Sequence, residues 1–288
     1  IWWLEAAMAA VKRIDRSATI AFSPVGPFLA AGSVAGAIDL SFSTSSVLEI
    51  FDLDLASSNG ELRLAGAPVQ APERFSRLTW APGPDPAKFK RGLLAGGLSD
   101  GSVCLWDPHQ IVRRPAGSRD QLLARLQKHA GPVRGLEFSP LSQNLLASGA
   151  SEGEVCVWDV ADPRSPSLFP PMAKSDAASA QASEITHLAW NCKVAHILAT
   201  ATAGAGVVVW DLKKQRPIIT LRDPSSVGAQ ATRASALAWN PGVATQLVVA
   251  SDSDARPALQ LWDLRNASAP FMELPGHARG VLGLAWSA

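Results

Sequence analysis

The segment HAGPVRGLEFSPLSQNLLASGASEGEVCVWD, His129 to Asp159, contains every part of a pattern that recurs along the chain. Three short apolar stretches are separated by Ser-Pro and by Ser-Glu-Gly. Stretches rich in β-branched and aromatic residues, bounded by Gly, Pro and Ser, are typical of β-strands joined by hairpins. The segment therefore predicts three antiparallel strands, the third of which ends in Trp158-Asp159.

The Trp158-Asp159 pair has counterparts at nearly constant spacing. The aromatic residues of these pairs are separated by 55, 52, 52 and 52 positions. A second aromatic series ends the first strand of each copy, with steps of 58, 58, 52, 49 and 47. The first series consists of Phe51-Asp52, Trp106-Asp107, Trp158-Asp159, Trp210-Asp211 and Trp262-Asp263. The second series consists of Phe22, Trp80, Phe138, Trp190, Trp239 and Trp286. We interpret the first series as structural blade markers.

A repeat of about fifty residues with three or four antiparallel strands and a Trp-Asp pair is typical of β-propeller blades. Blades arranged around an axis cover each other's faces, and each buried tryptophan removes about 150–250 Å² from water. We therefore predict an all-β fold, a WD-repeat β-propeller. Only Glu5 to Lys12 carries a helical periodicity, and it is weak.

The chain accommodates about five and a half blades of 52 residues. A sixth copy begins at Gly276-His277 and reaches Trp286. We assign residues 1–10 to an N-terminal extension of unclear status and residues 11–288 to a propeller that is incomplete at the C-terminus. Because an open ring exposes an unpacked blade face, a chain extended by roughly 75 residues is expected to unfold at a higher temperature.

Composition excludes several classes of protein. Apolar residues make up 47% and charged residues 18%, which excludes an intrinsically disordered chain or a charged coiled coil. The net charge of +1 lacks the basic excess of nucleic-acid binders, so no nucleic acid partner is predicted. The basic clusters Arg113-Arg114 and Lys213-Lys214 with Arg216 are interpreted as solvated loops. No apolar run approaches the roughly 20 residues of a membrane span.

Cysteine and histidine positions follow the repeat. Cys104 and Cys156 each precede a marker tryptophan by two residues, so we expect buried hydrophobic thiols in a reducing, cytoplasmic setting. No His-x-x-x-His or Cys-x-x-Cys spacing occurs, so neither a metal site nor a cofactor is predicted. His129 and His277 each lie nine residues before a second-series aromatic, which favours a hydrogen-bonded structural histidine over a ligand or a base.

Two segments match the nucleophile-elbow pattern Gly-x-Ser-x-Gly, at Gly97 to Gly101 and at Gly149 to Gly153. That motif requires a strand before the serine and a helix after it, whereas both matches are followed by predicted strands. They also lie one repeat apart, so we interpret both as hairpin turns. No set of acid, base and nucleophile is found, and the chain is predicted not to be an enzyme.

The first copy is longer than the others. Its two aromatic markers are 29 residues apart, compared with 20 in the third and fourth copies, and the additional residues include Ser41 to Ser46. This segment is either a tolerated surface insertion or a partner contact, with the insertion favoured. Partner-binding residues are otherwise unknown.

Several segments resemble the N-terminal WD-repeat domain of the larger outer-coat subunit of COPII vesicles. The likeness runs from about Asp15 to Trp286, and its most specific parts are not required by blade packing. These parts are Ser41-Phe-Ser-Thr-Ser-Ser-Val-Leu-Glu-Ile-Phe-Asp-Leu-Asp54 and Trp239-Asn-Pro-Gly-Val-Ala-Thr-Gln-Leu247. Further similar segments are Leu94 to Gly101, Gly131 to Phe138, Asn144 to Gly149, Val194 to Ala199, Val248 to Asp252 and Leu259 to Asp263.

This resemblance implies a seven-bladed propeller at the end of a rod-forming coat subunit, located where rods meet at cage vertices. It implies as partners the smaller WD-repeat outer-coat subunit, other copies of the same subunit and, through regions outside this chain, the inner coat. It further implies a cytoplasmic protein, peripheral on endoplasmic reticulum exit sites and COPII vesicles, whose membrane contact is indirect.

The resemblance favours a structural scaffold that acts in transport from the endoplasmic reticulum to the Golgi. Two alternatives remain open at this point. A generic WD-repeat adaptor, such as a ubiquitin-ligase substrate receptor, would present charged or aromatic side chains at one mouth of the ring. An enzyme on a propeller scaffold would require a polar, metal-bearing channel.

Overall fold

The computed structural model describes residues 12–14, 16–34, 46–55, 60–115, 118, 121–170, 184–204, 206–224 and 233–286. These residues form five antiparallel β-sheets and one short α-helix. Each sheet corresponds to one copy of the sequence repeat and is called a blade below. The prediction of an all-β chain is confirmed.

The strands follow the chain order within each blade. Blade 1 contains β1 (Ala18–Phe22), β2 (Phe28–Ser33), β3 (Val47–Asp52), β4 (Arg63–Leu64) and β5 (Val69–Gln70). Blade 2 contains β6 (Phe75–Ala81), β7 (Leu93–Leu98), β8 (Ser102–Trp106) and β9 (Leu122–Gln127). Blade 3 contains β10 (Val133–Phe138), β11 (Leu145–Ala150), β12 (Val155–Asp159) and β13 (Ser167–Leu168). Blade 4 contains β14 (Ile185–Trp190), β15 (Ile197–Thr202), β16 (Gly206–Asp211) and β17 (Arg216–Leu221). Blade 5 contains β18 (Ala234–Trp239), β19 (Gln246–Ser251), β20 (Leu259–Asp263) and β21 (Met272–Leu274).

Neighbouring blades meet through their first strands. β1 contacts β6, β6 contacts β10, β10 contacts β14, and β14 contacts β18. In blades 2 to 5 the spatial order of the strands equals their order in the chain, and in blade 1 both β4 and β5 pair with β3. The first strands therefore lie on the inside of the arrangement, as blade packing around an axis requires.

The hydrophobic core consists of layers between successive blades. Trp106 of blade 2 is fully buried in a cluster with Leu48 and Ile50 of blade 1. Trp158 of blade 3 packs in a buried cluster with residues of blade 2. Trp262 of blade 5 packs in the same manner with residues of blade 4. The Trp of each of these Trp-Asp pairs thus faces the preceding blade.

Second-series tryptophans also connect neighbouring blades. Trp190 Nε1 donates a hydrogen bond to the backbone oxygen of Glu137 in the preceding blade, at 3.0 Å. Trp239 Nε1 donates in the same way to the backbone oxygen of Ala189, at 3.0 Å. Because each donor is an indole N–H that would otherwise be buried without a partner, these bonds fix the position of one blade against the next.

A β-bulge recurs near the start of the first strand in four blades. The register shifts between Phe75 and Arg77, Val133 and Gly135, Ile185 and His187, and Ala234 and Ala236. A bulge inserts one residue into a strand and redirects the side chains beside it. The residue that follows the bulge is Arg77 in blade 2 and His187 in blade 4, and these two side chains meet as described below.

One helix was not predicted. α1 (Pro108–Arg113) directly follows the Trp106-Asp107 marker, in a stretch that the sequence pattern did not distinguish from a loop. Asp107 is its N-cap, because the carboxylate accepts hydrogen bonds from the backbone N–H groups of His109 and Gln110. The helix arises from an Asp N-cap followed by Pro at the first helical position.

The start of the sixth copy lies along blade 5 without forming a regular strand in the described residues 275–286. The Val281 backbone N–H donates to the oxygen of Ser251 at 2.8 Å, and the Val281 side chain packs with Ala236 and Ala250. Leu282 is 82% exposed and Trp286 43% exposed. The segment therefore begins to cover blade 5 but leaves apolar side chains uncovered.

Two sequence hypotheses concern residues outside the described ranges. The possible contact segment Ser41 to Ser46 is described only at Ser46, and the weak helical pattern Glu5 to Lys12 only at Lys12. Among the described residues, no helix combines the length and apolar character needed to cross a membrane.

Candidate functional site

The Trp-Asp markers end the third strand of each blade. Phe51, Trp106, Trp158 and Trp262 are buried, and Trp210 is half-buried. In blades 2 to 5 the adjoining carboxylates accept hydrogen bonds from backbone N–H groups of the turn that follows, as at Asp211, which binds the N–H groups of Lys213 and Lys214 at 2.9 and 3.2 Å. In blades 2 to 5 each marker therefore combines an apolar contact between blades with a polar anchor for the next turn.

Asp159 of blade 3 has a further partner. Its Oδ1 accepts from the backbone N–H of Ala161 and from Nδ2 of Asn144, both at 2.9 Å. Asp263 of blade 5 accepts from the Arg265 backbone N–H and side chain. Asp52 of blade 1 pairs with Arg63 at 2.9 Å. The carboxylates thus hold the ends of their blades and are not directed together into a shared site.

His129 lies at the centre of a buried hydrogen-bond network in blade 3. Its Nε2 is 2.8 Å from the hydroxyl of Ser148, and that hydroxyl accepts a 2.9 Å hydrogen bond from Trp158 Nε1. Glu152 in the hairpin turn accepts from the Ala130 backbone N–H and lies 4.0 Å from His129 Nδ1. Burial lowers the pKa of His129, which keeps the ring neutral and able to share one proton with Ser148. The histidine has a structural role here.

The fold brings His129, Glu154 and Cys156 together with ligand atoms within 4.8 Å of one another, a grouping that local spacing does not predict. The bond between His129 Nε2 and Ser148 already engages the imidazole. Burial raises the pKa of Cys156 to about 12, so its thiol is protonated, and Glu154 lies 3.6 Å from Lys128 Nζ. The three residues are therefore each explained by packing and pairing within blade 3.

Both Gly-x-Ser-x-Gly segments lie at hairpin turns. Ser99 separates β7 from β8, and Ser151 separates β11 from β12. Asp100 accepts hydrogen bonds from the backbone and the hydroxyl of Ser102. Because a strand follows each serine, neither has the geometry of a nucleophile elbow.

A polar cluster that sequence reasoning missed joins three first strands. The guanidinium of Arg77 in β6 contacts His187 Nε2 in β14, and Glu137 in the intervening β10 lies close enough to act electrostatically on Arg77. Glu137 Oε2 accepts from the Trp190 backbone N–H at 2.6 Å. The available signal was an ionisable residue three positions before a second-series tryptophan in two copies, at Arg77 and His187.

The cluster has strongly perturbed protonation equilibria. Burial lowers the pKa of His187 to about 3, and the positive charge of Arg77 adds to this effect. Burial raises the pKa of Glu137 to about 7, opposed by the hydrogen bond from the Trp190 backbone and by Arg77. The neutral imidazole of His187 accepts the hydrogen bond from Arg77, so this bond connects blade 2 to blade 4.

The contact between Arg77 and His187 predicts that the free energy of unfolding depends on pH. A histidine whose pKa is lower in the folded state contributes stability above its unfolded value of 6.5 and loses it as the pH falls toward 3. At a pH two units below the unfolded pKa, His187 alone is expected to lower the free energy of unfolding by at most about 2.7 kcal/mol. Substitution His187→Gln keeps an acceptor for Arg77 and is expected to flatten the decline, as measured by urea denaturation from pH 7 to pH 4.5.

Glu137 titrates in the opposite direction, because its raised pKa contributes stability that is lost as the pH rises through about 7. It is present in both proteins, so the difference between wild type and His187→Gln reports the histidine. Substitution His277→Gln, at an exposed histidine, is the matched control. Equal pH profiles for wild type and His187→Gln would contradict the assignment.

Comparison with known proteins identifies the repeat independently. Residues 120–159 match the family described as "WD domain, G-beta repeat". Over 97% of its length the chain is 47% identical to "Protein transport protein SEC31 homolog B" of Arabidopsis thaliana, of which it covers 24%. It is 39% identical to "Protein transport protein SEC31" of Dictyostelium discoideum, with 97% of the chain and 20% of that protein aligned. Human "Protein transport protein Sec31A" is 40% identical over 96% of the chain and 22% of its own length.

Comparison with solved structures also points to a COPII coat protein. A chain in a structure described as "COPII on membranes, outer coat vertex" aligns with a TM-score of 0.78 and 33% identity, covering 94% of this chain and 67% of that one. A second, described as "The structure of the COPII coat assembled on membranes", gives the same TM-score and identity, with 94% and 37% covered. The predicted WD-repeat propeller fold is thereby confirmed.

The chain spans about a quarter or less of the length of the SEC31 proteins that it matches. Within that span the likeness is continuous and includes all five described blades. Its sequence identity to these proteins and its structural match to an outer-coat chain show that the chain belongs to the Sec31 family and corresponds to the N-terminal WD-repeat domain of that family.

Proposed function

We propose that this chain is a non-enzymatic structural module of the COPII outer coat, which assembles the vesicle cage through protein–protein contacts in transport from the endoplasmic reticulum to the Golgi. The observation that carries the proposal is the likeness, across 94% of the chain, to a protein found at an outer-coat vertex. Closely packed blades joined by buried tryptophans are suited to a cage vertex, because a protein at a vertex must keep its shape while several rods contact it.

The proposed partners are proteins. They are the smaller WD-repeat outer-coat subunit, other copies of the same coat subunit and, through regions outside this chain, the inner coat. The proposed location is the cytoplasmic face of endoplasmic reticulum exit sites and COPII vesicles, with indirect membrane contact. A net charge of +1 favours neither nucleic acid nor direct lipid binding.

The proposed domain is a seven-bladed propeller, of which residues 11–288 supply blades 1 to 5 and the beginning of a sixth. Support comes from the sixth copy, where Val281 hydrogen-bonds to blade 5 while Leu282 and Trp286 remain exposed. Such uncovered apolar side chains are what a following blade would bury.

The geometry favours a scaffold over the two alternatives. Ionisable side chains on and beside the inner strands contact one another, as Arg77 does with His187 and Arg134 does with Glu184 at 2.9 Å. A peptide-capturing adaptor would leave such groups available at the ring mouth. An enzyme would need a reactive set, whereas Ser99 and Ser151 lie in turns and His129 is engaged by Ser148.

The proposal is tested with full-length protein and a variant that lacks residues 12–286. Both are mixed with the smaller outer-coat subunit and the inner coat, and cage formation is scored by electron microscopy. We expect the deletion to abolish closed cages, because vertex contacts are lost, while the protein still co-purifies with the smaller subunit. Cages that form equally well without residues 12–286, or full-length protein that binds neither coat partner, would refute the proposal.

A further inference from the structure

Four basic side chains from two separate segments lie together on blade 2. Lys90 and Arg91 belong to the connection between β6 and β7, and His109 and Arg113 belong to α1. Arg113 Nη1 is 3.5 Å from His109 Nε2, and the charges of Arg113, Arg91 and Lys90 all act on His109. We call these four residues the blade 2 basic patch.

The patch rests on ordered structure. The guanidinium of Arg91 lies over the ring of Phe28 in blade 1, 4.4 Å from its centre, and the Arg91 backbone oxygen accepts a 2.7 Å hydrogen bond from Trp80 Nε1. On the other side, α1 is capped by Asp107 and anchored by the fully buried Ile111. The Arg91 side chain and the backbone of α1, held in this way, lose little conformational freedom when a partner binds.

The positive charge of the patch is not neutralised within the described ranges. Lys90, Arg91 and Arg113 form no ion pair with a described carboxylate. Asp107, the carboxylate that acts on His109, accepts two backbone hydrogen bonds through Oδ1 as the helix cap. Like charges gathered at short range repel one another, so an anion that binds there relieves that repulsion.

Two buried donors or acceptors of the patch also lack partners. Arg91 Nη1 and His109 Nδ1 are enclosed and have no hydrogen-bond partner among the residues described. Burial lowers the pKa of His109, Asp107 opposes the effect, and Arg113, Arg91 and Lys90 lower it further. A bound anion would raise that pKa, which gives the site a spectroscopic signature that is independent of affinity.

We propose that the blade 2 basic patch is a docking site for an acidic peptide segment of a partner protein. Arg113 offers a planar guanidinium that can match a carboxylate in two hydrogen bonds, and Lys90 and Arg91 add positive charge beside it. The six residues of α1 span about 9 Å, the length of three residues of an extended peptide at roughly 3.3 Å each. The inference goes beyond the proposed coat role and requires none of the coat partners.

Other anionic partners fit less well. Duplex nucleic acid binding typically uses about 6–10 phosphate contacts along a continuous track. Membrane surfaces recruit clusters of about 4–8 Lys or Arg, and only three members of this patch carry a permanent charge. A short acidic segment therefore matches both the size and the charge of the patch.

The test measures binding of a fluorescent octapeptide of alternating Glu and Asp to full-length protein by anisotropy, at 50 and 200 mM salt. We expect the double variant Lys90→Glu with Arg113→Glu to weaken binding at least tenfold, and Lys90→Gln with Arg113→Gln to have an intermediate effect. The matched control is Lys213→Glu with Arg216→Glu, which reverses two exposed charges on blade 4 and is expected to change the affinity less than twofold.

A second readout is the pKa of His109, followed by NMR with and without saturating peptide, which is expected to rise on binding. Three results would overturn the proposal. They are no binding by the wild type, equal loss of binding in the blade 4 control, or patch-dependent binding to phosphatidylserine vesicles without binding to the peptide. Thermal unfolding of each variant verifies that it is folded.

Discussion

Replacement of Trp158 by alanine is expected to lower the free energy of unfolding by about 3–5 kcal/mol, the range found for large aromatic residues removed from a core. Trp158 is buried between blades 2 and 3, so truncation opens a cavity in the layer that joins them. It also removes the indole donor to Ser148. Urea denaturation monitored by circular dichroism measures the loss.

The hydrogen-bond share of this loss can be separated with two conservative substitutions. Trp158→Phe keeps most of the apolar volume but removes the donor to Ser148, whereas Trp106 Nε1 has no hydrogen-bond partner among the described residues. Trp106→Phe therefore loses no hydrogen bond. We expect Trp158→Phe to be more destabilising than Trp106→Phe by about 1 kcal/mol. Equal losses would show that the network of His129, Ser148 and Trp158 adds nothing beyond packing.

Substitution Gly101→Ala is expected to be strongly destabilising, although it only exchanges one hydrogen for a methyl group. Gly101 ends the hairpin turn between β7 and β8 with φ +87°, a conformation that disfavours residues with a side chain. A Cβ at this position would lie 2.2 Å from the backbone oxygen of His129, which cannot rotate away. Together the strain and the clash are expected to destabilise the protein by about 3 kcal/mol or more.

Gly242→Ala is the matched control for this prediction. Gly242 is exposed, and a Cβ there would meet only the side-chain oxygen of Asn240 at 3.4 Å. Its substitution is expected to be neutral or stabilising by up to about 1 kcal/mol, because alanine restricts the unfolded chain. Thermal melts of the two variants decide the matter, and a Gly101→Ala midpoint as high as that of Gly242→Ala would contradict the clash.

The fold could be predicted because the residues that define each blade recur at a nearly constant interval in the sequence. Spacing of the Trp-Asp pairs and of the second aromatic series repeats in every blade, so each copy reinforces the others. The helix α1 was missed because it occurs once, although Asp107-Pro108 carried a local start signal. A feature without copies gains nothing from repeat comparison.

The polar features could not be predicted for a different reason. Arg77 and His187 are 110 residues apart, and their contact depends on two β-bulges and on the packing of three blades. The basic patch likewise joins Lys90 and Arg91 to α1 through tertiary structure, whereas the sequence suggested only that Arg113-Arg114 is a solvated loop. These side chains come together only when the blades and their connecting segments have packed.

The tryptophans have a direction that bears on biosynthesis. Trp106, Trp158 and Trp262 face the blade before their own, and Trp190 and Trp239 donate to the backbone of the blade before theirs. As the chain leaves the ribosome, each newly made blade thus meets a docking partner that has already emerged. Each blade that is added in this way buries the face that the blade before it had left open. The repeat can therefore assemble at the pace of translation, one blade after another.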